Sequence, residues 1–284
     1  MKRTLPLVAA GFAALTLTGL AHGWWVVGHG VIAEAAVAGL PDEIPAFFRE
    51  SGKQLAHLAG DPDRWKNPKA PHLREAESPD HFLDMENFQG KHLPTGRWKA
   101  ITLLQELKQD PEKTGMLPYA IMENYERLCC AFRDYRETPD EPAVRAKCVV
   151  YAGILAHLTG DCAMPLHTMR DYDGRKGADS AIEQKGIHAR IDGFPERNGL
   201  AAEEMSRGLK AGVVEDVWPR VLEALQESHG QIDRCYELDK AGAFEKSTDE
   251  GRKFILSRCR VAAQFTEDLW YSAWQRSAKM PKPY

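Results

Sequence analysis

Surplus positive charge is missing from this 284-residue chain: 37 Lys and Arg stand against 41 Asp and Glu, a formal net charge of −4. A nucleic-acid binder that grips many phosphates across a broad basic face is thereby excluded. Alternating, β-branched runs bounded by turns are scarce, which argues against a sheet protein. A Walker-type loop, a dinucleotide fingerprint and a His-Glu-x-x-His are all absent, and no motif surrounds a Ser-His-Asp or Cys-His nucleophile. Internal repeats, low-complexity tracts and linkers are missing too, so a single domain is expected.

The one long apolar stretch, Leu5 to Leu20, follows Lys2 and Arg3 and precedes Ala21-His22-Gly23. Interrupted by Pro6, Gly11, Thr16, Thr18 and Gly19, it is short for a membrane span and no stop-transfer pattern follows. It reads as a signal peptide over residues 1–23, cleaved before Trp24, so that residues 24–284 form the mature domain, secreted or periplasmic. Removing Lys2 and Arg3 takes the net charge to −6. Cys129, Cys130, Cys148, Cys162, Cys235 and Cys259, six cysteines in an exported chain, suggest disulfides with no pairing chosen.

What is present is helical periodicity. Helices are expected over about 26–39, 97–109, 117–136, 141–160, 200–228 and 250–276. Val144, Cys148, Tyr151, Leu155 and Leu158 make one core stripe, and Ile255, Cys259, Ala262, Leu269 and Ala273 another. Pro and Gly punctuate 60–96 and 162–180, read as ordered, functional loops. The expected fold is all-α, a compact multi-helix domain with long loops over one face.

Five of the ten histidines have an aspartate four residues later: His57/Asp61, His157/Asp161, His167/Asp171, His188/Asp192 and His229/Asp233. On a helix, i and i+4 share a face, so an imidazole and a carboxylate can reach one ion. Context separates the pairs. His157 and Asp161 end a strongly apolar helix, where burial without partners is costly. Pro165 then stops the helix and His167 follows at once. His188/Asp192 is a second compact pair, and His81 sits in the loop run Ser78-Pro79-Asp80-His81-Phe82-Leu83-Asp84. His229/Asp233 lies in a polar stretch and reads as surface; His57, His72 and His92 have no comparable context.

These residues resemble a superfamily comprising the zinc-dependent phospholipases C and the single-strand-specific zinc nucleases of fungi and plants. Trp24-Trp25-Val26-Val27-Gly28-His29 is similar to the nuclease Trp-x-x-x-Gly-His start, and His81-Phe82-Leu83-Asp84 to His-Phe-Ile-Asp. His157-x-x-Gly160-Asp161-x-x-x-Pro165-Leu166-His167 matches His-x-x-Gly-Asp-x-x-x-Pro-Leu-His, and His188-x-x-x-Asp192 the final element, with Ile187 in place of Leu. The matches keep family order across 24–192.

The resemblance implies a cleft holding three zinc ions, whose six positive charges would bring the mature protein near neutrality. One ion would take Asp61, His81, His157 and Asp161. Its close partner would take the α-amine and carbonyl of Trp24, His29 and the bridging Asp161. The third would take His167, His188 and Asp192. Asp61 is preferred to the nearby Asp63 because Asp-x-x-Arg then places Arg64 as the phosphate-facing cation, with Asp61 orienting the attacking water. Phe82 and Asp84 match positions that hold a base by stacking and hydrogen bonding.

The implied activity is hydrolysis of phosphodiesters in single-stranded nucleic acid or nucleotides, as an endonuclease and 3′-nucleotidase. A phospholipase C acting on phospholipid headgroups is the alternative, and a non-catalytic exported zinc-binding protein a second. Where the nucleases carry Gly-Gly-Asn, this chain reads Asp171-Tyr172-Asp173-Gly174-Arg175. A monomer without a stable protein partner is expected.

Overall fold

The helix Pro142–Ala163 begins half exposed and becomes buried on every side from Leu155 to its end. A helix with an apolar stripe ends in this way when other helices close over its solvent face. The computed structural model describes residues 24–281; the expected leader and its cleavage site lie outside the described residues. Against this central helix pack Leu117–Glu137 and Asp249–Ser277 on one side, and Val26–Ala38 with Gly52–Leu58 on the other. Gly153 permits the second approach, since a Cβ there would lie 2.4 Å from the Leu58 Cβ. Phe48, Phe132 and Trp270 meet edge-on in the core, and the Trp270 indole donates to the Ala152 carbonyl at 3.1 Å.

The fold is all-α, as its periodicity implies. Among the described residues the only strands are Arg175–Lys176 and Ile182–Glu183, one small antiparallel hairpin. No helix among them is long and apolar enough to cross a membrane. Five of the expected helices appear within three residues of their expected ends, at Val26–Ala38, Arg97–Glu106, Leu117–Glu137, Pro142–Ala163 and Asp249–Ser277. The segment expected as one helix over 200–228 is instead Ala202–Ser206 and Val217–His229. The chain between them holds Gly208, at φ 77°, and Gly212. Residues 60–96, expected as loop, contain short helices Asp61–Trp65 and Pro71–Glu77 and two 3-10 turns, Ser78–His81 and Met85–Phe88.

The lower end of the central helix is fixed by polar contacts. Arg258, buried, donates to the Ala163 carbonyl at 3.0 Å and to Ser228 Oγ at 2.9 Å. Ser228 donates in turn to the Cys162 carbonyl at 2.7 Å. These bonds satisfy carbonyls that the helix end leaves without partners, and they hold the turn on which His157 and Asp161 project.

The expected disulfides are corrected: all six thiols are unbridged. Five lie on core-facing helix positions, where a thiol serves as a small apolar filler. Burial pushes Cys129, Cys148, Cys162 and Cys235 up to about 12, and Cys259 further. Only Cys130 is exposed. A thiol reagent at neutral pH should therefore titrate one group per native chain and six after denaturation; fewer in the denatured protein would reinstate a bridge.

Glu267 is fully buried against Gly39, and neither carboxylate oxygen has a hydrogen-bond partner. Burial, with Asp268 beside it, raises its pKa from 4.5 to about 8. Between those values the unfolded chain has released a proton that the folded chain keeps, so stability falls as pH rises through this window. The loss is on the order of a few kcal/mol. Thermal midpoints of Glu267→Gln should stay level from pH 5 to 8 while the wild type's decline; parallel curves would show that Glu267 does not titrate there.

Candidate metal centre

Asp161 projects from the last turn of the central helix and is wholly buried. Its Oδ2 stands 2.9 Å from His81 Nδ1 and 3.0 Å from His157 Nε2. Oδ1 stands 3.4 Å from His29 Nε2 and 3.2 Å from His167 Nδ1. Three other segments and the helix's own His157 thus meet at one carboxylate. His29 lies on the Val26–Ala38 helix with its ring stacked 3.8 Å from that of His157. Gly160 makes this possible, because a Cβ there would meet His29 Nδ1 at 2.7 Å. Pro165 ends the central helix and starts the 3-10 turn Pro165–Thr168, which carries His167.

The loops bearing His81 and His167 are zipped together. Leu83 N–H donates to the His167 carbonyl at 2.8 Å, and His167 Nδ1 donates to the His81 carbonyl at 2.9 Å. His157 Nδ1 donates to the Ala59 carbonyl at 2.7 Å. A carbonyl accepts only, so each contact assigns the proton to Nδ1 and leaves Nε2 as the electron-pair donor. Asp84 N–H is bonded to the Thr114 carbonyl at 2.7 Å, which fixes the strand of loop following His81.

Three groups of side chains are placed so that each could hold a metal ion: His29, His157 and Asp161; Asp63, His81 and His157; and His167, His188 and Asp192, the first two sharing His157. Within each group the donor atoms lie within 4.8 Å of one another. The contacts themselves fit a metal. His157 Nε2 and His81 Nδ1 face each other at 2.9 Å, as do the Nε2 atoms of His167 and His188. Neither ring nitrogen of His29 and neither oxygen of Asp192 has a hydrogen-bond partner, although Asp192 Oδ2 lies 3.2 Å from His188 Nε2. Buried polar atoms are seldom left so. An imidazole-rich donor set with carboxylates suits zinc better than magnesium.

Two of the imidazoles are held in the neutral form that ligation needs. Burial, with the charge of His157, lowers His29 to about 4. Burial and nearby Lys66 lower His81 to about 3. Both rings are therefore neutral at pH 7 and keep a lone pair. Burial alone would raise Asp161, but the charges of His157 and His167 outweigh it and hold the group well below the usual carboxylate range. Asp192 goes the other way: burial, then the charges of Asp161 and Asp63, raise it well above that range. A bound cation would reverse this penalty.

Of the residues expected from the sequence, His29, His81, His157, Asp161, His167, His188 and Asp192 come together, and the third group has the expected membership. Trp24 is buried against them, its indole donating to the Gly160 carbonyl at 3.0 Å. The Trp25 N–H meets the Asp192 carbonyl at 3.3 Å. Two expectations are corrected. Asp63, and not Asp61, is the carboxylate grouped with His81 and His157. Asp61 instead bonds Arg64 at 2.6 Å, and Arg64 also bonds the His57 carbonyl at 2.7 Å, so neither turns to the centre. The same spacing two residues on, Asp63-x-x-Lys66, supplies the inward pair, with Lys66 Nζ 2.7 Å from Asp63 Oδ1. Burial alone would raise Asp63, but the charges of His157 and Lys66 lower it to about 2.

The centre floors a cleft of about 800 Å³, lined by Lys66, His81, His167 and His188 and, above them, by Phe82, Asp84, Arg170 and Tyr172. Phe82 is half-buried, and Tyr172 is 43% exposed with its ring edge-on to His188 at 5.2 Å. Burial, with Glu86 adjacent, raises Asp84 to about 7. Lys66 and Tyr172 were not singled out as site residues in the sequence. The repeated Asp-x-x-cation spacing was the available signal for the first, and nothing marked the second.

No protein-family model matches the chain, and no curated protein matches it. Among solved structures it is similar to the alpha-toxin of Clostridium perfringens avian strain SWCP, with 13% identity and a TM-score of 0.49, over 91% of this chain and 67% of that one. It is similar also to the alpha toxin of Clostridium absonum, with 15% identity and a TM-score of 0.46, over 93% and 68%.

Asp63→Asn should lower bound metal by about one equivalent per chain in elemental analysis, since a ligand carboxylate is lost. Asp61→Asn should leave the metal content unchanged. The reverse result would return Asp61 to the centre.

Proposed function

We propose that the chain is a zinc-dependent phosphodiesterase acting on single-stranded nucleic acid. The observation that carries this reading is the convergence of three His/carboxylate groups on the floor of an open cleft. His29, Asp63, His81, His157, Asp161, His167, His188 and Asp192 would hold three ions, with Trp24 completing the second site if the mature chain begins there. Bound zinc would supply Lewis acidity toward water and the phosphoryl oxygens.

The chain's own side chains set the rest. Asp161 offers one oxygen to each of two neighbouring groups and so fixes their spacing. Lys66, only 11% exposed at its side chain and beside Asp63, presents an ammonium to negative charge gathering on phosphorus. The rings of Phe82 and Tyr172 offer stacking faces, a sequence-tolerant means of holding bases. Asp84, with a pKa of about 7, is able to donate or accept a hydrogen bond at a base edge.

A second reading, hydrolysis of phospholipid headgroups, is favoured by exposed apolar side chains on elements bordering the cleft. Trp98 is 79% exposed and follows Arg97, which is bonded to Asp80 beside His81; Leu73, next to Arg74, is 40% exposed. The zinc-loaded mature protein should be offered single-stranded DNA, RNA, a 3′-mononucleotide and phosphatidylcholine vesicles, with and without chelator. Chelator-sensitive cleavage of the oligonucleotides is the expected result. Faster turnover of phosphatidylcholine would install the second reading, and turnover of none would make the chain a silent zinc-binding protein.

A further inference from the structure

Five cations line the cleft, and they are not equivalent. Lys66 is bonded to Asp63 at the centre, and Lys113 to Asp110 at 3.1 Å. Arg74, Lys108 and Arg170 make no ion pair and no side-chain hydrogen bond among the described residues, although they come from three different segments and face one cavity. Asp84 and Glu112 are the acids that share this lining without a salt-bridge partner. In a chain of net charge −4, three uncommitted cations around one opening need a reason.

Lys108 adds a second observation. It follows the helix Arg97–Glu106 at φ 58°, in the left-handed region. Its N–H bonds the Gln105 carbonyl at 3.0 Å, and the Gln109 N–H bonds the Leu104 carbonyl at 2.8 Å. This is a helix-ending turn at which glycine is the favoured residue. A lysine there accepts backbone strain without gaining a protein partner, and such strain clusters where a side chain is used. The cleft volume of about 800 Å³ lies toward the upper end for small-molecule sites.

We infer that Arg74, Lys108 and Arg170 form an outer phosphate track, binding the phosphates that flank the scissile one in a polynucleotide strand. This inference rests on the nucleic-acid reading above and names its substrate class as a polymer rather than a mononucleotide. The track explains how an acidic protein holds a polyanion: the charge is confined to the path of the strand.

Counter-ion release gives the test its magnitude. Each phosphate contact on a single strand contributes a slope of about 0.7 in log affinity against log salt. Three contacts predict a slope near −2 for kcat/KM on a ten-residue oligothymidylate, measured with zinc-loaded enzyme. Bis(4-nitrophenyl) phosphate, which has one phosphate, reports the centre alone. Lys108→Gly relieves the backbone and so should fold at least as well as the wild type, checked by its thermal midpoint. Its ratio of oligothymidylate to bis(4-nitrophenyl) phosphate kcat/KM should fall about eightfold at 50 mM salt and less than twofold at 500 mM. Arg170→Ala should behave alike.

If the oligonucleotide is cleaved but the ratio does not change in either variant, the track is refuted while the nuclease reading stands. If bis(4-nitrophenyl) phosphate is cleaved and the oligonucleotide is not, both fall together.

Discussion

Asp161 is the point on which the structure turns. A fully buried carboxylate carries a large desolvation cost unless positive charge or several donors meet it. Here four imidazoles approach within 3.4 Å: His157 from the same helix, His167 from the turn that follows it, and His29 and His81 from segments distant in sequence. Tethers of His157 and His167 to the carbonyls of Ala59 and His81, together with the Arg258 and Ser228 contacts at the helix end, hold those two rings in place. Yet two of those imidazoles, His29 and His81, are driven neutral by burial. Asp63 and Asp192 add two more buried carboxylates to the same region. Two neutral rings and three carboxylates make an arrangement whose missing positive charge divalent ions would supply. Metal binding would therefore be coupled to folding of this end of the molecule.

Much of this was legible in the sequence, because helical periodicity reports burial directly. The stripe through Cys148, Leu155 and Leu158, and the one through Ile255, Cys259 and Leu269, lie in the core. His157/Asp161 and His188/Asp192 were readable since i and i+4 share a helix face whatever its orientation. Asp61 and Asp63 were not separable in this way. Two residues apart on a helix point about 200° away from each other, so one faces the centre and the other faces out. Which one depends on how the short helix Asp61–Trp65 docks, and that is decided by chain far from it. The Asp-x-x-cation pattern fits both registers, and so it misled.

Other misses share that origin. A signal-peptide pattern implies an oxidising compartment and hence disulfides, but the helix positions of five cysteines make them apolar filler. The helix expected over 200–228 ignored Gly208 and Gly212, where backbone entropy and a left-handed turn outweigh the apolar spacing. Tyr172 carries no motif; it matters because its segment folds back over His188.

Replacement of Arg64 by Lys66 as the inward cation alters the chemistry available at phosphorus. A guanidinium offers a planar fork that clamps two phosphoryl oxygens, whereas an ammonium is a compact, rotatable point charge. Lys66 is already engaged by Asp63 at 2.7 Å, so its charge would be divided between that carboxylate and a phosphate substrate. A bound ion that takes over the charge of Asp63 would release part of that hold and turn the ammonium toward the cleft. Charge at the centre would then be supplied at one point and without strong orientation. On the proposed reading, alignment of a strand would then fall to stacking on Phe82 and Tyr172 and to cations farther along the cleft. On that reading, positioning by the outer cleft would be the counterpart of a cation that attracts phosphate but does not orient it.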